Sequence, residues 1–152
     1  MHLHKRSNFV DRHKGEIGFP GGVQESHDKG PLQTALRETH EEIAILPEDV
    51  TILGQMDDVV TTSGYLVNVF AGTIPYPYQF NPNKREIDEV LEIPLNTLRD
   101  ISNIREECYW NKTGNIIHYS YAYNHHIIYG ATAKIISQFL GIVNDALDQG
   151  RT

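Results

Sequence analysis

Residues 19–45 hold the feature that most constrains this chain: a tight glycine turn followed at once by a helix pattern rich in carboxylates. The segment reads FPGGVQESHDKGPLQTALRETHEEIAI. Pro31 suits the first turn of a helix, and Pro47 disfavours helix in the residue before it. We therefore predict a helix from Pro31 to about Ile43.

The helix pattern separates an acidic face from an apolar one. Glu38, Glu41 and Glu42 fall at positions i, i+3 and i+4, so they share one face. A different face can anchor the helix on a core. That apolar face consists of Leu32, Ala35, Leu36 and Ile43.

If the acidic face were only solvated surface, two electrostatic effects would destabilise the helix. The carboxylates lie in the last turns, where the helix dipole is negative. Like charges at this spacing also cost about 0.2–0.5 kcal/mol for each pair. A divalent cation reverses both penalties, and Mg²⁺ prefers clustered carboxylate oxygens. The pattern thus favours a Mg²⁺ or Mn²⁺ site over a solvated acidic face.

The segment resembles the box of the Nudix hydrolases, Mg²⁺-dependent enzymes that cleave nucleoside diphosphates linked to another group. That box runs Gly, five residues, Glu, seven residues, Arg-Glu, an aliphatic, any residue, Glu-Glu, any residue, Gly, aliphatic. This chain has Gly22, then Asp28 in place of the first Glu, and eight residues before Arg37. Thr39 stands at the aliphatic position and Ala44 at the last Gly. The coenzyme A pyrophosphatase branch shows the same FPGG turn, an Asp at this position and a late ALRE-x-x-EE.

Segments outside the box resemble the same branch, in the right order along the chain. Because box residues do not choose the substrate, these segments favour coenzyme A over other nucleotides. They are LHKRS (3–7), HKGEIGFPGG (13–22), TTSGYLVNVFAGTIP (61–75), DEVLEIPL (88–95) and IIYGATAKII (127–136).

Metal ligands and catalytic groups follow from the spacing and the resemblance. We predict Glu38 and Glu42 as the primary ligands, because they face the same way one turn apart. Glu41 is a third ligand or a general base, and a backbone carbonyl near Gly21 or Gly22 completes the set, with Gly22 the chosen position. The resemblance implies that Arg37 orients a box glutamate through a bidentate pair.

Further site residues come from two other segments. Nudix enzymes often take a base or an extra ligand from a later loop, and here Glu86, Asp88 and Glu89 follow a proline-rich loop. We choose Glu89 because it precedes a valine, as in the branch. Basic residues before the glycine turn, together with that turn, suit a substrate phosphate. The predicted substrate-binding residues are Arg6, Arg12, Lys14 and Gly21.

The resemblance implies a single Nudix hydrolase domain over residues 1–152, folded as an α/β/α sandwich with a mixed β-sheet. The family domain has a hydrophobic strand before the segment at which this chain starts. We therefore expect a domain that lacks its first N-terminal strand. A lost strand exposes a sheet edge, which invites association. A homodimer is therefore the oligomeric state that we consider for this protein.

Composition narrows the class of protein. The net charge of −7 has the wrong sign for binding nucleic acid polymers, but it is tolerable where metal ions mediate contact with a small-molecule substrate. One cysteine, Cys108, excludes an internal disulfide and suits a reducing cytoplasm. No apolar run approaches the ~18 residues of a membrane span. We predict a cytoplasmic enzyme.

The remaining pattern indicates short strands and a second long helix. We predict a hairpin turn at residues 111–115 and a helix over 130–147 with Ala131, Ile135, Phe139, Ile142 and Ala146 on its apolar face. His125 and His126 are interpreted as loop residues. The other predicted elements are strands over 2–6, 15–19, 50–56, 65–74, 90–93, 107–110 and 116–123, with a helical turn over 94–100.

Three functions stay open on the sequence alone. The first is hydrolysis of coenzyme A or acyl-coenzyme A to 4′-phosphopantetheine and adenosine 3′,5′-bisphosphate. The second is a Nudix hydrolase acting on another nucleoside diphosphate derivative, such as an ADP-sugar or a dinucleotide. The third is a Nudix-fold protein that binds a nucleotide without turnover. The intact Glu38, Glu41 and Glu42 argue against the third, since a binder has no need of three clustered charges.

Overall fold

A computed structural model of the chain describes residues 1–9, 14–111 and 114–150, with the backbone alone for 109–111 and 114–116. This part of the chain combines strands with three α-helices, which confirms the predicted α/β class. In chain order the elements are β1 (His2–Arg6), β2 (Ile17–Gly18), α1 (Pro31–Ile43), β3 (Thr51–Gln55), β4 (Val59–Val60), β5 (Leu66–Val67), β6 (Phe70–Thr73), β7 (Ile87–Glu92), α2 (Leu95–Arg99), β8 (Ile104–Asn111), β9 (Gly114–Tyr123), β10 (His126–Ile128) and α3 (Gly130–Gln149), with 3₁₀ turns at Pro47–Asp49 and Ile101–Asn103.

The elements fall into two compact units, and the first comprises Met1–Met56 and Asn68–Glu92. Its main sheet has the order β2-β1-β7, with antiparallel pairs on both sides of β1. A second antiparallel pair joins β3 to β6. The expectation of a single domain over the whole chain stays a prediction.

The core of this unit lies where α1 ends against β7. Ile43, Ile45 and Ile87 form a cluster, and none of them is more than 4% exposed. Burying three such side chains contributes about 1.5–3 kcal/mol each. Partly buried residues complete the cluster: Val50, Ile74, Tyr78, Phe80 and Val90.

Strand β1 is covered on both of its faces. Alternation places Leu3 on one face and His2, His4 and Arg6 on the other. Leu3 and His4 are both buried, at 0% and 1% exposure. A polar histidine is therefore enclosed at the centre of the sheet, opposite Val90 of β7 and Gly18 of β2.

Helix α1 has the predicted bounds, Pro31–Ile43, with proline in its first turn. It ends at Ala44, which adopts the left-handed conformation with φ 59° and ψ 31° and donates its N–H to the His40 carbonyl. Glycine is the residue that usually occupies this position, because alanine there brings Cβ close to the carbonyl oxygen.

The second unit comprises Asp57–Val67 and the chain from Ile93 onward. Strand β9 lies between β8 and β10 in an antiparallel sheet, and α3 packs on β9. A separate short pair joins β4 to β5. Among the described residues, no helix combines the length and the apolar composition that a bilayer crossing requires.

Two sequence-based expectations for this unit need correction. The buried side chains of α3 are Ala133, Ile135, Ile136 and Leu140, whereas Ile142 of the predicted face is 54% exposed. His126 was interpreted as a loop residue but begins strand β10. The hairpin turn predicted at 111–115 includes residues 112–113, which lie outside the described residues.

The left-handed conformation of Ala44 predicts a stabilising substitution. We expect Ala44→Gly to raise the free energy of unfolding by about 1 kcal/mol, because glycine adopts this conformation without the Cβ penalty. Urea unfolding followed by circular dichroism measures the change.

Ala35→Gly is the matched control, because Ala35 lies inside the same helix. There glycine should lower the free energy of unfolding by about 0.5–1 kcal/mol. Equal effects of the two substitutions would contradict the assignment of a special conformation to Ala44.

Candidate active site

The guanidinium of Arg37 is the centre of the polar cluster on α1. Its Nε donates to Asp28 Oδ1 and its Nη2 to Asp28 Oδ2, both at 3.1 Å. Nη1 lies 2.9 Å from Glu38 Oε1 and 3.1 Å from Glu41 Oε2. Nη2 also donates to the carbonyl of Val23 at 3.2 Å. One cation therefore joins the loop after the glycine turn to the acidic face of the helix.

Asp28 is the bidentate partner of Arg37, and the sequence assigned it no site role. Its buried carboxylate also accepts hydrogen bonds from the Glu25 N–H and the Thr34 hydroxyl, each at 2.9 Å. Hydrogen bonds from Arg37, and then from the Glu25 backbone, hold the pKa of Asp28 well below its usual range. The spacing of the Nudix box, with Asp in place of Glu, was the signal that could have identified it.

Glu42 is an enclosed carboxyl group of the site, with 2% of its surface exposed. The Gly21 N–H donates to Oε2 at 3.1 Å, and Arg6 Nη1 lies 3.3 Å from Oε1. Burial nevertheless raises the pKa of Glu42 to about 7, because water no longer solvates the charged form. A bound cation would stabilise the charged form of this carboxyl group.

Glu38 lies one turn before Glu42 and faces the glycine turn. Desolvation raises its pKa, an effect that Arg37 partly opposes. Gly22 has no side chain at the point where its backbone meets the Glu38 carboxylate, and a Cβ there would overlap the carboxylate. A side chain at position 22 would therefore displace the Glu38 carboxylate from its present position.

A second acidic side chain acts on this cluster from the loop before β7. The charge of Glu86 contributes to the raised pKa of both Glu38 and Glu42. Asn83 connects the two parts, since its N–H donates to the Glu42 carbonyl at 2.9 Å and its side chain donates to Glu86 Oε1 at 3.0 Å. Glu86 belongs to the acidic group after the proline-rich loop, in which the sequence favours Glu89.

The predicted residues are only partly brought together. Arg37, Glu38, Glu41 and Glu42 lie in one network, although Glu41 is 55% exposed at its side chain. Glu89, the chosen residue of the later loop, is an exposed residue of β7 opposite Lys5. Its role stays a prediction.

The predicted substrate-binding residues take different positions. Arg6 and Gly21 contact the Glu42 carboxyl group, so in this structure they support the acidic cluster. Lys14 is exposed in the turn that leads to β2. Arg12 lies outside the described residues. A role in substrate binding stays a prediction for all four.

The donor set suits a hard divalent cation. Three carboxyl groups lie within hydrogen-bonding distance of Arg37 and a fourth contacts Arg6, so full ionisation leaves an excess of two negative charges. Burial raises the pKa of Glu38 and of Glu42, and the neighbouring carboxylates add to this effect. Oxygen ligands at that charge are what Mg²⁺ and Mn²⁺ prefer.

Comparison with known proteins shows which family this chain belongs to. The family model of the NUDIX domain matches residues 1–110. The chain therefore belongs to the Nudix family, which confirms the predicted fold. It is a Nudix hydrolase, an enzyme that cleaves phosphoanhydride bonds in nucleoside diphosphate derivatives. Such enzymes generally use divalent metal ions.

Several curated relatives carry the name "Uncharacterized Nudix hydrolase NudL". The chain is 35% identical to the protein of Photorhabdus laumondii over 136 residues, which cover 90% of this chain and 73% of the relative. It is 33% identical to that of Pectobacterium atrosepticum over 143 residues, or 94% and 74% of the two chains. For Yersinia enterocolitica the identity is 34% over 146 residues, or 93% and 73%.

The contact between Gly22 and Glu38 predicts a position-specific loss of activity. Gly22→Ala should lower kcat about 10- to 100-fold with little loss of stability, because the flexible carboxylate must move away from the new methyl group. Steady-state kinetics and thermal unfolding of the same samples measure the two effects.

Gly54→Ala in β3 is the control, since a Cβ at Gly54 meets nothing within 4 Å. It should keep near-normal kcat. A comparable loss in both variants would show that the approach of Gly22 to Glu38 is not what limits activity.

The lowered pKa of Asp28 predicts how stability depends on pH. The folded state holds this pKa below the ordinary value of 3.8, so the stabilisation is complete above that value and is lost as pH falls through the folded pKa. Asp28→Asn should therefore be less stable than wild type at pH 5–7, and the difference should shrink progressively below about pH 4.

Urea unfolding of both proteins between pH 7 and pH 2 checks this expectation. The difference between the two free energies of unfolding isolates Asp28 from the other carboxyl groups. A difference that stays constant down to pH 2 would mean that the charge of Asp28 does not stabilise the fold.

Proposed function

We propose that this protein hydrolyses the diphosphate bond of coenzyme A or an acyl-coenzyme A with Mg²⁺ or Mn²⁺. The products are 4′-phosphopantetheine, or its acyl form, and adenosine 3′,5′-bisphosphate. The observation that carries the hydrolytic part is the enclosed Glu42 beside Glu38 at the glycine turn of a Nudix domain. The coenzyme A part is supported by the branch-like segments at 3–7, 13–22, 61–75, 88–95 and 127–136.

Glu38 and Glu42 are the proposed metal ligands, with Glu41 and the Gly22 carbonyl as further ones. When bound, a divalent cation would neutralise the diphosphate charge and lower the pKa of a bound water. Arg37 acts through position: its five N–H donors are divided among Asp28, Glu38, Glu41 and Val23. That division holds the helix and the loop at a fixed separation.

The reaction requires a base but no covalent intermediate. A water oxygen bonds to one phosphorus, the bond from that phosphorus to the bridging oxygen breaks, and a carboxylate accepts the proton released from water. Glu41 and Glu89 are the residues proposed for this task from the sequence. Glu86 joins them, because its charge acts directly on Glu38 and Glu42.

The basic segment before the glycine turn is the proposed site for a terminal phosphate. Arg6 is engaged with Glu42, so Arg12 and Lys14 are the residues on which phosphate binding would depend most. We also propose the cytoplasmic location, the single domain over 1–152 and the homodimer, which rest on the sequence alone.

The test is an assay with coenzyme A, acetyl-coenzyme A, ADP-ribose and diadenosine tetraphosphate, each with Mg²⁺, Mn²⁺ or EDTA and with products resolved by chromatography. We expect metal-dependent cleavage of the coenzyme A compounds. Glu42→Gln should lower kcat at least about 100-fold, because it removes a ligand charge. Glu106→Gln, an exposed strand position, should leave activity unchanged.

Each outcome separates the hypotheses. Cleavage of ADP-ribose or the dinucleotide alone would keep the hydrolase and exclude coenzyme A as the preferred substrate. Binding without turnover in a folded sample would favour a nucleotide-binding protein. Near-normal activity of Glu42→Gln with Mg²⁺ would contradict the ligand assignment.

A further inference from the structure

His4 is a buried polar side chain for which the proposed mechanism has no use. It is 1% exposed at the centre of the β2-β1-β7 sheet, and neither ring nitrogen has a hydrogen-bond partner among the described residues. An imidazole carries at least one N–H, and an enclosed N–H without an acceptor is unfavourable.

The carboxyl group of Glu42 lies beside His4. His4 Nδ1 is 3.8 Å from Glu42 Oε2, which is longer than the upper limit of about 3.2 Å for a hydrogen bond of this kind. Both side chains are enclosed, at 1% and 2% exposure, so a donor and an acceptor share one buried environment.

The contacts of Glu42 leave a defined place for this donor. Oε2 accepts one hydrogen bond, from the Gly21 N–H, and Oε1 accepts one, from Arg6. A carboxylate oxygen has two lone-pair sites. With a second donor on Oε2, the free lone pair of Glu42 is on Oε1.

We propose that His4 is a positioning residue: when the metal ion binds, its Nδ1–H moves within hydrogen-bonding distance of Glu42 Oε2 and orients the Glu42 carboxylate. This inference rests on the proposed function, since it takes Glu42 as a metal ligand. Partners of this kind orient ligating carboxylates and contribute about 10- to 100-fold to metal affinity. His4 touches neither the metal nor the substrate.

The test compares two substitutions that differ in hydrogen bonding. His4→Asn keeps an N–H donor near the Nδ1 position but loses volume, whereas His4→Leu keeps volume and loses the donor. Mn²⁺ affinity is measured by electron paramagnetic resonance of free Mn²⁺, and thermal unfolding is followed without metal. We expect His4→Leu to weaken Mn²⁺ binding about tenfold and lower kcat with little change in KM, and His4→Asn to recover most of both.

A purely structural role gives the opposite order. If His4 only fills space, His4→Leu should bind Mn²⁺ at least as tightly as His4→Asn, and that result would overturn the proposal. His2→Leu is the control on the same face of β1, because the His2 ring contacts Phe80 and Glu92 instead. It should leave Mn²⁺ affinity unchanged.

Two further measurements keep the outcomes distinct. Glu42→Gln should lose Mn²⁺ binding, and wild-type Mn²⁺ affinity in this variant would contradict the proposed metal site. If Glu42→Gln loses Mn²⁺ binding but His4→Leu binds Mn²⁺ normally, the metal site stands and only the role of His4 is contradicted. A second measurement uses the wild-type protein and so does not depend on whether a variant folds. Long-range ¹H–¹⁵N NMR should show the Nδ1–H tautomer of His4, and the Nε2–H tautomer would overturn the proposal.

Discussion

The site depends first on the division of one guanidinium among several carboxylates. Arg37 contacts Asp28 through two hydrogen bonds and also reaches Glu38 and Glu41. Without that cation, like charges at helical contact spacing would repel one another at the negative end of the helix dipole. Arg37 therefore allows an acidic face to exist in a part of the helix that disfavours it. The loop that carries Asp28 is held by the same interaction.

Glu42 shows the complementary arrangement, in which burial opposes ionisation. Asp28 is also enclosed, yet its pKa is lowered, because hydrogen bonds to the charged form outweigh desolvation. For Glu42 the pKa is raised to about 7, because Gly21 and Arg6 offset only part of the desolvation. The charged form is therefore stabilised by hydrogen bonds in Asp28 and disfavoured by burial in Glu42.

The sequence predicted features that neighbouring residues determine and missed contacts between residues far apart in the chain. The bounds of α1 followed from Pro31 and Pro47, and the shared face of Glu38, Glu41 and Glu42 from helical periodicity. The enclosure of Glu42, and its contacts with His4 and Arg6, depend on pairing between residues far apart, which no local pattern records. The α3 face was misassigned for a related reason. Apolar residues occur around much of that helix, so periodicity alone could not choose the side that packs on β9.

The position of β1 has a consequence for how the enzyme reaches its active form. Arg6 and His4 lie close to Glu42 only when residues 2–6 are paired with residues 87–92, at the other end of the first unit. Closing so long a loop is among the slower and entropically more expensive steps of folding. The enclosure of Glu42 therefore requires the completed sheet, and helix α1 alone cannot provide it.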